Sequence, residues 1–595
     1  MVEKPKNEAL QAEEEYRTTV EEAYDYVENF DILETITNVG NDEVFTPRKT
    51  ADMMLDSLPE EVWHNPDYKW LNPATKNGIF EREIAIRLDR GLADVIPDVE
   101  ARRKHILQNM IFSIGQTKFT ANVARRTIYY CSQANRACDG IRAPDGHYVN
   151  GYAIGNGSWF NDEEGNVKTP CTDHEFVDSN GRQMPGFCEE GSKRKYHCKH
   201  CGIGGDSKYN DINQREKYAY EFIHVHRLNL KRQLQDRFFG GNRAMKFDII
   251  IGNPPYQLSD GGAQSSARPI YHLFINQAIA LNPKYLCMIV PSRWMVGGKG
   301  LDDFRAGMLK DTHLETLHDF IDAKECFPAN EITGGVCYFV WNRDYNGQCE
   351  IYTHSHGNIK KSKRYLKEGD SEIFIRDDTL ISIINKVKTK HSGKYADSVV
   401  SASKPYGLRA ETTLNPGKYG LPAFSEEPVP DGYKIFGLAE RGRRSFFYIP
   451  KDYPLPKISA SAHKWKVFIA EADGAAGQIG HPIPARIIGK PTVGEPNTIC
   501  TETFLEIGPF ATEDEANAFA KYIKTKFFRT LVGVVKQTQH TTQKVYQYVP
   551  LLDLKSKSTI DWSQSVADID KQLYAFFDLS ESEIEFIETH IQEMF

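Results

Sequence analysis

Residues Asp248 to Gln257 read Asp-Ile-Ile-Ile-Gly-Asn-Pro-Pro-Tyr-Gln, an apolar run cut off by two prolines. Ile249, Ile250 and Ile251 lack the alternation of a half-exposed strand. An unbroken run of this kind marks a strand covered on both faces, as in parallel sheets packed between helices. Pro254 and Pro255 cannot donate to a ladder, so the strand must stop there. Ligands of open α/β sheets bind outside the carboxyl ends of strands, which puts Asn253-Pro254-Pro255-Tyr256 where a site is expected. Proline fixes φ, so the Asn253 amide and the Pro254 carbonyl are held stiffly as outward-facing acceptors beside one aromatic ring. Two such acceptors suit a planar, amino-substituted base.

The rest of the chain supplies the sheet that this strand needs. Strand signals at Trp70-Leu71-Asn72-Pro73, Met110 to Ile114, Tyr285 to Val290, Gly335 to Trp341 and Cys349 to Thr353 alternate with helical patterns. The helices are expected at Ile79 to Leu88, Thr120 to Tyr130, Ile270 to Ala280 and Leu301 to Leu309, with Tyr218 to Ile223 resuming the pattern after an interruption. Alternation of this kind predicts a mainly parallel, doubly wound α/β sheet. The interruption, residues 131–210, is rich in Gly, Asn, Asp and Cys, has no helical period and reads as an insertion. After about Ala396 short β-like stretches broken by Gly and Pro take over, with helices at Glu513 to Lys526 and near the end. The domains expected are an acidic helical segment over 1–40, the α/β domain over 41–395, an α+β domain over 396–560 and a helical segment over 561–595.

At 595 residues the chain is long enough for two or three domains with sizeable cores. No apolar run reaches membrane-spanning length and the charged N-terminus is no signal peptide, so a reducing cytoplasm is expected. Eleven cysteines are then thiols or metal ligands rather than disulfides. The net charge of −8 argues against a whole-surface polyanion binder. Much of that excess sits at Glu13, Glu14, Glu15, Glu21 and Glu22, a face that repels DNA and leaves a basic cleft elsewhere open.

An Asn-Pro-Pro-Tyr motif ending a buried strand resembles the catalytic motif of amino-methyltransferases that modify the N6 of adenine. The order of parts, over most of the chain from about Val44, is similar to that of the gamma-class adenine-N6 DNA methyltransferases of restriction–modification systems, including the type II/IIG-like modification enzymes. The resemblance implies a Rossmann-like methyltransferase domain, a C-terminal target-recognition domain, S-adenosylmethionine as methyl donor, and double-stranded DNA as partner. It implies a base flipped out of the duplex, with Asn253, Pro254, Pro255 and Tyr256 catalytic and Phe327 a second aromatic face, or alternatively core. Phe45-Thr46-Pro47 looks like the family's N-terminal cofactor motif. Asn72, Pro73 and Gly78 stand in the cofactor loop, where the family has Asp-Pro-x-x-Gly-x-Gly. Asn72 replaces the acid and Lys76 the first loop glycine. The next strand end, Ser113-Ile114-Gly115-Gln116-Thr117, lacks the acid that meets the ribose. Glu221 is a candidate for the adenine amine of the donor, with a solvent-facing carboxylate as the alternative, and Asn253 borders donor as well as base. Pro291-Ser292-Arg293-Trp294 ends a strand where the family places a wall of the target pocket.

Two further groups carry chemistry. Cys171-x₂-His174 and Cys198-x₂-Cys201 have the spacing of a tetrahedral N/S site, so a structural Zn²⁺ is expected in the insertion. Cys188 is an alternative to Cys171, and Cys131, Cys138, His197 and His200 are further choices. In the C-terminal domain Arg441, Arg443, Arg444, Lys464, Lys466, Lys536, Gln539 and His540 are the residue types that neutralise phosphates and read base edges. Ser401-Ala-Ser-Lys-Pro-Tyr-Gly407 resembles the opening of the family's recognition domain.

These features favour a sequence-specific adenine-N6 methyltransferase of a restriction–modification or phage-defence system. Cleavage, where it occurs, falls to a partner endonuclease or helicase subunit. Asn72, Lys76 and Gly115 motivate one alternative, a catalytically weak or inactive DNA-recognition subunit. Another is an enzyme acting on RNA or on a protein glutamine, against which the large C-terminal domain weighs.

Overall fold

The triple isoleucine and the Trp70 strand lie side by side at the centre of one sheet. The computed structural model describes residues 44–129, 164–169, 176–178, 180–184, 197–199, 221–224, 227–242, 244–257, 268–355, 357–367, 371–439, 443–474, 479, 483–536, 540–555 and 558–594. The acidic N-terminal segment, most of the insertion, and Cys171, His174, Cys201, Arg441 and Gln539 lie outside these residues. The described residues divide into two compact units, 44–292 with 298–332 and 336–365, and 293–297 with 333–335 and 366–594.

The strands of the first unit are β1 (Trp70–Thr75), β2 (Ile111–Gly115), β3 (Val167–Lys168), β4 (Phe176–Val177), β5 (His197–Cys198), β6 (Ile249–Gly252), β7 (Tyr285–Pro291), β8 (Leu314–Phe320), β9 (Val336–Asn342), β10 (Cys349–Ser355) and β11 (Asn358–Arg364). β4 and β5 pair with each other; the remaining nine form one sheet in the order β11-β10-β8-β9-β7-β6-β1-β2-β3. The pairs β3/β2, β2/β1, β1/β6, β6/β7 and β8/β10 are parallel, while β7/β9, β9/β8 and β10/β11 are antiparallel. A mainly parallel α/β sheet is therefore present. β1, β6 and β7 are buried at every position, as the lack of alternation in the isoleucine run requires.

The winding fixes where a site can sit. From β1 the chain moves outward through the helix Ile79–Gly91 to β2, and through the helix Lys118–Tyr129 towards β3. It then returns to the opposite side of β1 as β6 and continues outward through the helix Tyr271–Ala280 to β7. The direction of winding reverses between β1 and β6, and the crevice at such a point takes ligands. The register, Trp70 opposite Ile249 and Leu71 opposite Ile250, sets Asn72-Pro73 beside the Asn253 turn.

Several features differ from the sequence reading, the strand Asn358–Arg364 and the helix Asp378–Lys390 among those it left out. β8 carries Glu315, His318 and Asp319 in a strand of mixed burial, which hides it from a hydrophobic pattern. His318 stacks between Tyr338 and Tyr352 at 4.5 and 4.3 Å, so the strand is held by aromatic cross-strand contacts. Residues 221–224 are one turn of helix, followed by a second helix, Arg227–Phe239. The second unit begins at Leu366 rather than at Ala396, because Ile373, Ile383, Ile384 and Val387 share its core with Phe519, Phe528 and Leu531.

In the second unit, β12 (Tyr433–Leu438), β13 (Arg444–Ile449) and β16 (Thr498–Cys500) form one sheet, and β14 (Trp465–Ala470), β15 (Thr492–Gly494) and β17 (Phe504–Phe510) another. The helices Glu513–Lys524, Lys526–Val535, Val566–Phe576 and Glu581–His590 complete an α+β unit. Among the described residues no helix is long and apolar enough to cross a membrane. None of their His, Cys, Asp and Glu side chains form a group of three or more able to hold a metal ion.

Candidate active site at two adjacent strand ends

Asn253 leaves β6 with its side chain 2% exposed. Its Nδ2 donates to the Val44 carbonyl at 3.0 Å and to Thr46 Oγ1 at 3.1 Å. Both amide hydrogens are thereby committed, and Oδ1 is left buried with no partner. A buried amide whose donors are fixed and whose acceptor is empty is oriented towards something that donates. Pro254 and Pro255 are buried beside it, and Tyr256 is 9% exposed with a hydroxyl that adjoins Asn253 without closing a hydrogen bond. Burial pushes that hydroxyl's pKa well above the ordinary tyrosine value, so it stays protonated. Cys326 and Cys337 also lie near it.

The segment Val44–Pro47 ties the two strand ends together. Val44 receives Lys76 Nζ at 2.7 Å as well as the Asn253 amide, and Pro47 precedes the helix Arg48–Asp56. Thr50 in that helix donates to the Cys326 carbonyl at 2.7 Å. Phe327 follows at 1% exposure. Phe45 is likewise buried. Trp294 is fully buried in the second unit.

At the end of β1, Asn72 Oδ1 accepts from the Ala74 amide at 3.1 Å while its Nδ2 donates to Glu81 Oε1 at 2.9 Å. Ser113, on β2, donates to the same Glu81 oxygen at 2.6 Å. Gly252 lets β6 pass this close, since a Cβ there would sit 2.6 Å from Asn72 Oδ1. Gly78 turns the chain into the helix Ile79–Gly91 at φ +80°, and a Cβ on it would lie 2.9 Å from the Ala124 backbone. Around these residues is a small cavity of about 10 Å³, walled by Thr46, Asn72, Lys76, Gly78, Glu81 and Asn253, among others. Of the residues that the sequence reading grouped around the donor, Thr46, Asn72, Gly78 and Asn253 line this one space.

That reading misses Glu81, whose signal was an acid directly after Ile79-Phe80 in the first turn of the helix. Burial raises the Glu81 pKa, against hydrogen bonds from Ser113 and Asn72. Gln116 at the end of β2, where an acid was sought, is fully buried with both amide atoms unpartnered. Glu221 is not among the cavity residues. It pairs with Arg237 at 2.7 Å, and burial raises its pKa against that partner.

The basic residues of the second unit separate into two kinds. Lys466 is fully buried, with Nζ donating to the Ala462 and Thr498 carbonyls at 2.8 Å each, and Lys536 is 1% exposed. Burial lowers the pKa of each to about 8. Neither reaches a phosphate from these positions, so their expected DNA contacts are corrected to structural roles. Arg443, Arg444, Lys464 and His540 are exposed. Arg444 shares Asp473 with Arg486, at 3.2 and 2.6 Å, and both arginines line a cavity of about 330 Å³ with Lys490, Arg529 and Glu593. Arg486 and Lys490 were not singled out by the sequence, because Pro484-Ala-Arg-Ile-Ile-Gly-Lys490 contains no charge cluster.

The chain is similar to several known proteins. The family of Eco57I restriction-modification methylases matches residues 109–327. An uncharacterized adenine-specific methylase of Mycoplasma pneumoniae is 45% identical over 351 residues, 58% of this chain and 78% of the relative. Among solved structures, the type IIL restriction-modification enzyme MmeI in complex with DNA is similar at 12% identity and a TM-score of 0.45, covering 91% of this chain and 75% of that one. A nuclease-deletion mutant of the type ISP enzyme LlaGI with a DNA substrate mimic is similar at 10% identity and a TM-score of 0.43, covering 90% of this chain and 47% of that one.

Proposed function

The chain belongs to the adenine-specific restriction–modification methylases, and from that premise we propose that it transfers a methyl group from S-adenosylmethionine to N6 of an adenine turned out of duplex DNA. The observation that carries the reading is the Asn253 amide, buried, locked by Val44 and Thr46, and presenting an empty acceptor at the switch point of the sheet.

The N6 lone pair is delocalised into the adenine ring and is a poor nucleophile. Asn253 Oδ1, together with the Pro254 carbonyl, takes the two N6 hydrogens as hydrogen bonds and favours the pyramidal amine in which the lone pair is free. The dipoles are fixed before the base arrives, so they stabilise the transition state without reorganising. Tyr256 supplies an aromatic face against the flipped base. S-adenosylmethionine, when bound, supplies a methyl group already activated on a sulfonium. The extra proton on N6 stays hydrogen-bonded to Asn253 until it passes to water.

The residues at the neighbouring strand end fit a donor with an amino-acid tail. The cavity joins Asn253 to the Asn72–Gly78 loop, and Glu81, which has an unpartnered buried carboxylate oxygen, is among its walls. In the second unit, exposed Arg443, Arg444 and Lys464, with Arg486 and Lys490, supply cations for duplex phosphates, which fix register while other side chains read base edges.

The test is incubation of the protein with tritiated S-adenosylmethionine and mixed-sequence duplex DNA, followed by digestion to nucleosides. Label in N6-methyladenine is expected, and Asn253→Ala is expected to remove it while duplex binding persists. Label elsewhere, or none with wild-type protein that binds both donor and duplex, overturns the reading.

A further inference from the structure

Glu81 alone carries a carboxylate among the residues that wall the cavity at the two strand ends. It is 1% exposed, and its two oxygens are treated differently. Oε1 receives both Asn72 Nδ2 and Ser113 Oγ; Oε2 has no partner, with Thr75 beside it but closing no hydrogen bond. An unsatisfied carboxylate oxygen costs the desolvation of that atom, a cost that a donor in the adjoining cavity offsets. Its place in the first turn of the helix Ile79–Gly91 favours negative charge through the helix dipole. Two fixed donors on one oxygen leave the other as the open acceptor of a residue that lines the cavity.

We propose that Glu81 Oε2 receives the α-ammonium of the methyl donor, and that Asn72, whose side chain holds Glu81 in place, is the positioning residue for that contact. The inference rests on the donor assignment above. It explains why the strand end at position 72 lacks an acid of its own. The negative charge sits nine residues on in the helix, and the amide at 72 is what an acceptor at 81 requires. With an aspartate at 72 and glutamate at 81, two carboxylates would face each other in a buried space and one would have to stay protonated. Asn72 removes that conflict and adds a donor.

The experiment compares binding of two probes, S-adenosylmethionine and 5′-methylthioadenosine, which lacks the amino-acid tail. Isothermal titration of wild-type protein, Glu81→Gln and the swap Asn72→Asp with Glu81→Gln gives three affinity ratios, each internally referenced. Wild-type protein is expected to prefer S-adenosylmethionine. Glu81→Gln is expected to lose at least tenfold of that preference, with the affinity for 5′-methylthioadenosine held within twofold, and the swap to restore most of it. An unchanged preference in Glu81→Gln, an equal loss for both probes, or a swap that restores nothing overturns the assignment of Glu81. Wild-type protein that binds neither probe overturns the donor reading itself. Should Glu81→Gln not fold, Glu81→Asp keeps the charge on a shorter arm. A preference reduced but still above unity then supports the contact, and an unchanged one overturns it.

Discussion

Asn253, Glu81 and Gln116 in the first unit, and Lys466, Arg529 and Asp570 in the second, are all polar side chains taken out of water. In the first set something is left over at each: Asn253 Oδ1, Glu81 Oε2 and both amide atoms of Gln116 have no partner. In the second set the hydrogen bonds close on the protein itself. Lys466 is satisfied by two carbonyls, Arg529 donates to the carbonyls of Thr525, Lys524 and Gln592, and Asp570 accepts the Lys526 and Phe527 amides. A buried polar group with an open valence costs stability that the fold recovers only when a ligand closes it. One with none open contributes to the architecture. Among these six the open valences all fall in the first unit, although Thr498 Oγ1 and the Tyr546 hydroxyl of the second unit are also buried without a partner.

The comparison is sharpest at Asn253. Asn253→Ala is expected to lower kcat about 10²–10³-fold, the scale for losing one preorganised polar group at a reacting centre, while unfolding free energy falls by no more than about 1 kcal/mol. Single-turnover methylation and urea denaturation read the two numbers. A variant that loses stability but keeps its rate would move Asn253 into the second set.

Lys466 should behave in the opposite way. Burial lowers its folded-state pKa to about 8 from 10.5, so between those values the unfolded chain holds the extra proton and stability rises with pH. As pH falls across that window the cost of burying the charged amine builds up, and below the folded-state value it is complete. Lys466→Met is expected to flatten this limb of the stability–pH profile by up to about 3 kcal/mol, with donor affinity unchanged. A flat profile in wild-type protein refutes the buried amine.

Arg529→Met, which strips three backbone carbonyls of their donor, is expected to cost about 1–3 kcal/mol in urea denaturation and to leave donor affinity unaltered. The smallest effect belongs to the surface cations. Arg486→Ala with Lys490→Ala is expected to weaken duplex binding evenly across sequences and to reduce the salt slope by roughly 0.9 for each phosphate no longer neutralised. No change in slope would place DNA on another face.

Much of the site was legible because its backbone demands are strict. Two prolines after three isoleucines, and Gly78 at the entrance of a helix, can serve few conformations, so their positions at a strand end and a helix start followed from residue type. Side-chain assignments fared less well. Lys466 and Arg444 are each one basic residue among aromatics in the sequence, yet one is fully buried and the other exposed. Glu81 was passed over because a carboxylate in the first turn of a helix is ordinarily solvated. β8 was missed because its polar residues are held by ring stacking rather than by an apolar face.

The residue order alone determined that a buried parallel strand ends in Asn-Pro-Pro-Tyr, that an α/β sheet surrounds it, and that an α+β domain follows. Those features depend on local constraints, the fixed φ of proline, the freedom of glycine and the period of apolar residues, which each stretch of chain carries with it. Which strands are neighbours, which oxygen of Glu81 is satisfied and which lysine is buried were decided only by the tertiary structure. Each depends on groups far apart in sequence, such as Val44 with Asn253 and Ser113 with Glu81. A hydrogen bond between them exists only once the sheet has brought both to the same strand ends.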